Sequence, residues 1–314
     1  MESVIADLRK IMHDENALRL DEPMSQHTTF GVGGEADFFI DVASSELRLV
    51  IRCLRDHGVP LTVIGNGSNL LVSDKGIRGA VICIGRRMNE VTFDMKEVGG
   101  SISCAAGALL PSVARKAAEA SLTGLEFATG IPGTIGGAVY MNAGAFGGDM
   151  SEVITAVTSM TEDGEARHYS NADIGFGYRS SIFSKKKEII TGATLAMPTD
   201  DLEKIQARIS EIKEKRAKSQ PIDKRSAGST FRKVGTGDAV DDLTPAWKLI
   251  QQAGMKDAHI GGARVSEKHS GFVINEGTAS AMDIYNLIQE IAEKVKTKTG
   301  VTLEPEVKMI GEFD

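Results

Sequence analysis

The chain has 314 residues, of which 41% are hydrophobic and 25% charged, a composition that is ordinary for a globular protein with one large or two average domains. Its formal net charge of −7 argues against nucleic acid as a partner, and no apolar run is long enough to insert into a membrane. The three cysteines show no paired spacing, and the first residues lack the pattern of a signal peptide, so we expect a cytoplasmic protein.

Hydrophobic spacing predicts alternating helices and strands along the first 200 residues. Helices are predicted at residues 4–12, 46–57 and 111–120, and Gly58 should end the second of them. Strands are predicted at residues 38–40, 61–64, 80–84, 102–105, 153–160 and 189–197, with a hairpin turn at 163–164.

The clearest predicted helix runs from Asp200 to Ser219, and we expect it to join two domains. Asp200 and Glu203 resemble a capping box, and Pro221 lies just beyond the end. Further helices are predicted at residues 245–253 and 280–299, and further strands at 272–274 and 301–303. The pattern therefore predicts an α+β N-terminal part followed by a smaller α/β unit.

Two glycine-rich loops are the most informative local features. One runs from Gly130 to Gly137 and is followed by Asn142-Ala143-Gly144; the other is Gly65-Asn66-Gly67-Ser68-Asn69. So many glycines disfavour a helix or a strand and let a ligand approach the backbone closely. Backbone N–H groups left free in such loops can donate to phosphate oxygens, so we expect a large bound cofactor.

The familiar nucleotide motifs do not fit the first loop. It begins like a dinucleotide fingerprint, but Leu70 stands where the third glycine belongs, and residues 71–76 look like a turn instead of a helix start. The sequence contains no Gly-Lys-Ser/Thr phosphate-binding loop. Asn66, Ser68 and Asn69 can still surround a pyrophosphate, although a plain hairpin is an equal alternative for this loop taken alone.

Several sequence blocks together resemble the UDP-N-acetylenolpyruvoylglucosamine reductase family. In chain order the blocks are His27–Gly34, Val63–Leu71, Gly130–Gly137, Asn142–Ala145, Gly177–Ser181, Ser226–Ser229, Gly261–Ala263, Val265–His269 and Leu303–Val307. One block would be weak support, whereas this many in the family's order are specific.

The resemblance implies an α+β fold with a two-lobed FAD-binding domain of the vanillyl-alcohol-oxidase (PCMH) type and a smaller α/β substrate-binding domain. The FAD-binding domain would cover residues 1–200, with lobes at about 1–60 and 61–200. A linking helix at 201–220, a substrate-binding domain at 221–305 and a C-terminal return segment at 306–314 would follow.

The same resemblance implies a flavoenzyme of peptidoglycan precursor synthesis. It would reduce the enolpyruvyl ether of a UDP-N-acetylglucosamine derivative with NADPH, using non-covalently bound FAD and no metal. We expect a monomer. The implied cofactor-binding residues are those of the two loops: Gly65, Asn66, Gly67, Ser68, Asn69, Leu70, Gly130, Ile131, Pro132, Gly133, Gly136, Gly137, Asn142 and Gly144.

The family motif assigns catalysis to Arg179, Ser229 and Glu306. Hydride addition to an electron-rich double bond requires that negative charge on the substrate carboxylate be stabilised, and Arg179 can bind a carboxylate through two parallel hydrogen bonds. Glu306 can help only as the neutral acid, so we expect burial to keep it protonated. Ser229 would deliver the proton to the other carbon.

Taken without the family match, each of these residues has a plain alternative. Arg179 could form a surface salt bridge, Ser229 could be a turn residue, and Glu306 could be a charge at the end of a strand. Glu304 lies on the same face of a regular strand as Glu306, and only the motif selects between them.

Tyr178, Arg232, Lys233 and His269 are expected to bind substrate, with His269 as an orienting group instead of the acid. One branch of the family carries a long tyrosine-bearing loop after the Tyr-Arg motif. Here only residues 184–187 separate Phe183 from the next strand, so the chain resembles the shorter branch, and Lys185–Lys187 or Lys233 are candidates to bind the substrate diphosphate.

The sequence also departs from the family pattern after Ser229. The usual proline is replaced in Phe231-Arg232-Lys233-Val234, and residues 235–244 lengthen the loop.

Two other functions stay open: a flavin oxidase of the same fold that uses O₂, and a non-catalytic protein that binds flavin or nucleotide sugar. An oxidase needs no proton donor opposite the hydride, so Arg179, Ser229 and Glu306 together favour the reductase.

Overall fold

A computed structural model describes residues 2–235 and 243–314. The chain packs into two compact units, each built from separate stretches of sequence. The first unit comprises Met1–Leu20, Phe38–Asn66 and Gly79–Lys215, and the second comprises Asp21–Asp37, Gly67–Arg78 and Arg216–Asp314. The sequence did not predict that residues 21–37 and 67–78 group with the C-terminal part. The predicted ranges of a cofactor-binding and a substrate-binding domain concern function and stay predictions.

The described residues form helices and strands in mixed order. The helices are α1 (Glu2–Ile11), α2 (Leu47–Asp56), α3 (Leu110–Glu119), α4 (Ile135–Met141), α5 (Asn171–Ile174), α6 (Leu202–Ser219), α7 (Ala246–Gln252) and α8 (Ala281–Thr299). The strands are β1 (Leu18–Pro23), β2 (Glu35–Asp41), β3 (Leu61–Ile64), β4 (Leu70–Val72), β5 (Ile77–Cys83), β6 (Val91–Met95), β7 (Gly100–Ala105), β8 (Gly144–Ala145), β9 (Gly148–Asp149), β10 (Ile154–Thr161), β11 (Ala166–Ser170), β12 (Glu188–Met197), β13 (His259–Ile260), β14 (Ala263–Val265), β15 (Val273–Asn275) and β16 (Lys308–Ile310).

Two sheets organise the N-terminal part of the chain. A four-stranded sheet has the order β1-β2-β5-β3, and β3 and β5 pair in parallel. A five-stranded sheet has the order β11-β10-β12-β7-β6, and its neighbours pair antiparallel. Asp163 and Gly164 lie in the turn between β10 and β11, as predicted, and the Gly164 N–H donates to the Thr161 carbonyl oxygen at 2.9 Å.

Amphipathic helices complete the core of the first unit. Helix α2 buries Leu47, Val50, Ile51 and Leu54, which recur at helical spacing and so face one side. Gly58 follows the helix with a φ of +66°, a conformation that glycine adopts without strain and that ends the helix as predicted.

The second unit has its own core around α7, α8 and the antiparallel sheet β13-β14-β15. Helix α8 is the longest helix of the described chain, and Ser280 and Asp283 form a capping box at its start. Its buried residues recur every three or four positions: Ala281, Ile284, Leu287, Ile288, Ile291 and Val295. A parallel pair of β4 with β16 ties residues 70–72 to the C-terminal segment.

Three local predictions were wrong. Residues 301–303 form no strand, because Leu303 is buried by side-chain packing while its backbone has no strand partner among the described residues. The start of α6 is capped by Asp201, whose carboxylate accepts the N–H of Glu203 at 2.8 Å, whereas Asp200 pairs with Arg208 at 2.7 Å. The glycine-rich stretch 130–137 contains the beginning of α4.

Candidate functional site

The beginning of the first glycine loop packs against the second glycine cluster. Asn66 donates its side-chain N–H to the carbonyl oxygen of Pro132 at 2.6 Å. A side chain at Gly65 would collide with the hydroxyl oxygen of Thr134. The two loops that the sequence analysis linked through a shared cofactor are therefore in direct contact, and glycine is required at position 65 for that approach.

The cluster is more regular than the sequence suggested. Thr134 caps α4 by accepting the Gly137 N–H on its hydroxyl at 3.4 Å. The N–H groups of Ile135 and Gly136 donate to the carbonyl oxygens of Ala108 and Ala106, so they are not the free phosphate donors that we expected. A threonine cap and these backbone bonds explain why a glycine-rich stretch still starts a helix.

The exposed part of the cluster does fit a close ligand. Gly137 and Pro132 are exposed, and a Cβ placed on Gly137 would meet a single described atom outside its own helix, the hydroxyl oxygen of Thr134 at 3.6 Å. The backbone at the first turn of α4 is therefore open on one side. A larger side chain at Gly137 would fill this open space. The space is compatible with a flat cofactor lying against the backbone.

The second half of the first loop belongs to the second unit and is held by its segments. Gly67 has a φ of +61°, and a Cβ there would collide with the carbonyl oxygen of His27. Asn69 donates its side-chain N–H to the Glu306 carbonyl oxygen at 3.1 Å and accepts the Lys308 N–H at 2.9 Å. Strand β4 follows the loop, so the rejection of a dinucleotide fingerprint, which needs a helix there, is confirmed.

Tyr178 and Arg179 occupy the two central positions of a tight turn in the first unit. Gly177 and Ser180 exchange backbone hydrogen bonds of 3.0 and 3.1 Å across this turn. Arg179 has a φ of +52°, which is uncommon for a residue with a side chain and occurs often at functional positions. Its guanidinium lies 5.3 Å from the centre of the Tyr178 ring and donates to the Gly144 carbonyl oxygen at 2.8 Å.

Two further predicted cofactor residues support this turn. Asn142 is only 3% exposed and donates its side-chain N–H to the Gly177 carbonyl oxygen at 3.1 Å. A Cβ on Gly144 would come within 2.7 Å of the Gly148 carbonyl oxygen, so close packing of β8 on β9 requires glycine there. This supporting role could not be predicted from the sequence, because nothing in the spacing of residues 142–144 connects them with residues 177–181.

Ser229 and Glu306 are brought together in the second unit. Glu306 donates its backbone N–H to the Thr230 carbonyl oxygen at 2.8 Å, and Phe231 bridges Pro305 in the antiparallel sense. Thr230 is 1% exposed, donates its N–H to Gly271 and accepts the Val273 N–H on its hydroxyl. Ser229 is exposed and Glu306 is half-buried. Thr230 therefore fixes the backbone next to both predicted groups, a role that sequence reasoning did not find.

His269 lies in an aromatic pocket of the same unit. Its ring contacts Phe272 and Trp247 edge-on, with centroid distances of 4.9 and 6.3 Å. Gly271 donates its N–H to Nδ1 at 3.0 Å, and burial lowers the pKa of the imidazole. Nδ1 is thus an acceptor and the proton sits on Nε2, so a neutral His269 can donate one hydrogen bond and is poorly suited to act as an acid.

The basic candidates differ in their surroundings. Arg232 lies 3.6 Å from the Glu304 carboxylate, so Glu304 already interacts with a cation and is exposed. Lys185, Lys186 and Lys187 are all exposed, and Lys186 donates to the Tyr169 hydroxyl at 2.8 Å. Of the lengthened loop, residues 236–242 lie outside the described residues, and Val234 and Thr244 at its two ends pair through hydrogen bonds of 2.7 and 2.8 Å.

Two family models match separate parts of the chain. A family model for the C-terminal domain of UDP-N-acetylenolpyruvoylglucosamine reductase matches residues 220–310, and one for an FAD-binding domain matches residues 42–170. The chain is 45% identical over 301 residues to a UDP-N-acetylenolpyruvoylglucosamine reductase of Agathobacter rectalis, with 93% of this chain and 94% of the relative covered. It is 42% identical to that of Lachnoclostridium phytofermentans, with 98% and 97% covered.

A solved structure also matches nearly the full length of this chain. The crystal structure of UDP-N-acetylenolpyruvylglucosamine reductase from Thermus caldophilus superposes with a TM-score of 0.77 at 33% identity, covering 94% of this chain and all of that one. Of the helices in residues 2–235 and 243–314, none is long and apolar enough to cross a membrane. The fold is thus the expected α+β arrangement with a two-lobed FAD-binding domain and a smaller C-terminal domain. The chain belongs to the UDP-N-acetylenolpyruvoylglucosamine reductase family.

Proposed function

We propose that this protein reduces the enolpyruvyl ether of a UDP-N-acetylglucosamine derivative to UDP-N-acetylmuramate, with NADPH as the source of hydride. The reaction belongs to peptidoglycan precursor synthesis, and we expect it to take place in the cytoplasm on a monomeric enzyme. The observation that best supports this function is the hydrogen bond from the Glu306 N–H to the Thr230 carbonyl oxygen, because it holds the predicted proton donor and acid on adjacent segments.

Reduction of the substrate double bond places two demands on the protein. Hydride addition to one carbon pushes electrons toward the substrate carboxylate, where fixed hydrogen-bond donors must stabilise the growing charge. The other carbon must then receive a proton. FAD, when bound, supplies the hydride that originates from NADPH, and all other steps fall to side chains of this chain.

Arg179 meets the first demand in the proposed mechanism. Its guanidinium is permanently charged and carries five donors, of which one reaches the Gly144 carbonyl oxygen. A guanidinium held at one corner keeps a defined direction, which suits it to binding a carboxylate. Glu306, as the neutral acid, donates a further hydrogen bond to the same developing charge.

Ser229 meets the second demand by giving its hydroxyl proton to the carbon next to the carboxylate. A serine hydroxyl is a weak acid, so it must face a strongly basic centre in a fixed direction. The buried Thr230 follows Ser229 and is fixed by hydrogen bonds to Gly271 and Val273, so the backbone on this side of Ser229 has a defined conformation. This rigidity supports a directed proton transfer.

The two glycine loops would bind FAD without contributing a reacting group. Gly65, Asn66 and Pro132 form the contact between the loops, and the open backbone at Gly137 gives the cofactor room. Ser68, Asn69, Leu70, Gly130, Ile131, Gly133 and Gly136 remain proposed members of this site. Tyr178, Arg232, Lys233 and His269 would orient the substrate, and the exposed Lys185 and Lys187 are the better candidates for its diphosphate.

The test uses the purified full-length protein. Denaturation should release FAD, and steady NADPH oxidation should require UDP-N-acetylglucosamine enolpyruvate. Rapid O₂ consumption without that substrate would instead identify a flavin oxidase. Protein that binds FAD but oxidises no NADPH with or without substrate would point to a non-catalytic binding role and contradict the proposal.

A further inference from the structure

We propose that Asn142 and Ser181 are positioning residues for Arg179. They would hold the turn that carries the guanidinium in the one arrangement that suits the substrate carboxylate. This inference rests on the proposed function, because it assumes that Arg179 stabilises charge on that carboxylate. It gives Asn142 a different role from the direct cofactor contact that the sequence predicted.

The first line of support is the environment of Asn142. The residue is 3% exposed, and both ends of its amide bind backbone groups: Nδ2 donates to the Gly177 carbonyl oxygen at 3.1 Å, and Oδ1 accepts the Ser151 N–H at 3.0 Å. Asn142 has a φ of +42°, a conformation that asparagine tolerates better than most residues. The amide is thus directed at the base of the Arg179 turn.

The second line of support is Ser181, which lies just after the turn. Its side chain is 4% exposed, and its hydroxyl donates to the Tyr140 carbonyl oxygen at 2.9 Å. Together with the bond from Arg179 to Gly144, this gives three hydrogen bonds between the turn and the segment Tyr140–Gly144. One bond lies before Arg179 in the chain, one is on Arg179 itself and one lies after it.

The backbone conformation of Arg179 explains why such support is needed. A turn residue with a side chain and a φ of +52° is held in a sparsely populated region, so it relaxes unless its surroundings fix it. Bonds to the residues on both sides of the turn do this directly. The supporting segment also includes the end of α4, which starts in the glycine cluster, so one short helix connects the proposed flavin loop with the Arg179 turn.

The experiment compares Asn142→Asp and Ser181→Ala with the wild-type holoenzyme. Aspartate keeps an acceptor for the Ser151 N–H but removes the donor to Gly177, and alanine removes the bond to Tyr140 without adding bulk. Asn171→Asp is the matched control, because Asn171 also donates to backbone carbonyls in the same unit, those of Ile154 at 2.7 Å and Ser151 at 2.9 Å, and neither bond goes to residues 177–181. FAD content, flavin reduction by NADPH and flavin reoxidation by substrate are measured separately.

In both test variants, substrate should reoxidise the flavin at least about 10-fold more slowly than in wild type. A displacement of about 1 Å at a reacting group can lower a rate by about 100-fold. Their FAD content and their reduction by NADPH should match those of wild type and of the control. When Arg179→Ala is already present, adding either substitution should slow reoxidation by less than about 2-fold, because residues that act through one group are not additive.

Three results would overturn the inference. Loss of FAD from Asn142→Asp would return that residue to cofactor binding. Unchanged reoxidation in both variants would remove the positioning role, and full effects in the Arg179→Ala background would show general loss of structure. If Arg179→Ala itself reoxidised normally, the assignment of Arg179 under the proposed function would fail first, which is a distinguishable outcome. Should Asn142→Asp not fold, Ser181→Ala carries the same test.

Discussion

Glu306 donates its backbone N–H to the carbonyl oxygen of Thr230 at 2.8 Å. The bond aligns the C-terminal segment with residues 229–232, and Asn69 fixes the same segment by donating to the Glu306 carbonyl oxygen. The backbone N–H and carbonyl of Glu306 are therefore both hydrogen-bonded, so its side chain is attached to a backbone with little freedom. This is the preorganisation that electrostatic stabilisation of a reacting centre requires.

Ser229→Ala tests the proton donor. Flavin reduction by NADPH should continue at nearly the wild-type rate, while reoxidation by substrate should slow by about 100-fold or more, in the range for loss of a general acid. Rapid-mixing absorbance of the flavin separates the two halves. An equal loss in both halves would show that Ser229 has another role.

Glu306→Ala and Glu304→Ala form a matched pair of carboxylate deletions. Glu304 has a side chain that is 74% exposed and lies beside Arg232, so its removal should change reoxidation less than about 2-fold. Glu306→Ala should slow reoxidation by about 100-fold, and Glu306→Gln should retain more activity because an amide still donates a hydrogen bond. A larger defect for Glu304→Ala would mean that the family motif selects the wrong carboxylate.

His269 should be neutral at about pH 7, with its proton on Nε2. Burial lowers the pKa of the imidazole from its ordinary 6.5, so the unfolded chain takes up a proton more readily than the native protein. The stability that comes from the neutral form is present above 6.5 and decreases as the pH falls below it. His269→Gln should remove this part of the pH dependence in urea unfolding. If nitrogen NMR detected the proton on Nδ1 at neutral pH, the assignment of the proton to Nε2 would be contradicted.

Glu46 provides a test of stability at a residue that has no role in the proposed mechanism. Its carboxylate is fully buried, and burial alone would raise its pKa. The N–H groups of His13 and Ala43 and the Arg87 guanidinium outweigh that effect and lower the pKa to about 2. The native carboxylate therefore stabilises the fold above the ordinary value of 4.5, and this contribution is lost as the pH falls from 4.5 toward 2.

Glu46→Gln should accordingly reduce the free energy of unfolding by on the order of 3 kcal/mol at about pH 7. The difference from wild type should shrink as the pH is lowered toward about 3, as followed by circular dichroism in urea. Glu119→Gln is the control, because the side chain of Glu119 is 67% exposed and its substitution should change stability little. A difference that stays constant with pH would show that the carboxylate charge is unimportant.

Elements with strong local signals were predictable from the sequence. The strand at residues 61–64 matches β3, and the apolar spacing of α2 and the serine cap of α8 mark those helices within one or two residues. The start of α4 within the glycine stretch at 130–137 could not be predicted. The Thr134 cap and the backbone bonds to Ala106 and Ala108 stabilise this helix start, and together they outweigh the poor helix propensity of glycine.

The candidate catalytic residues stay predictions, and the contacts that support them could not be predicted from the sequence. The family resemblance supplies Arg179, Ser229 and Glu306, whereas the supports of these residues lie far away in sequence. Thr230 contacts the residue at 306, and Asn142 contacts the turn at 177. No local pattern encodes such pairs, since they arise only when separate segments pack.

Under the proposed function, reduced FAD on this protein passes hydride to an enolpyruvyl ether. The most direct measurement mixes NADPH-reduced enzyme with UDP-N-acetylglucosamine enolpyruvate in the absence of O₂ and follows flavin absorbance while mass spectrometry identifies the product. We expect rapid reoxidation of the flavin and formation of a product heavier than the substrate by two hydrogens. A flavin that stays reduced with substrate but reoxidises quickly in air would contradict it.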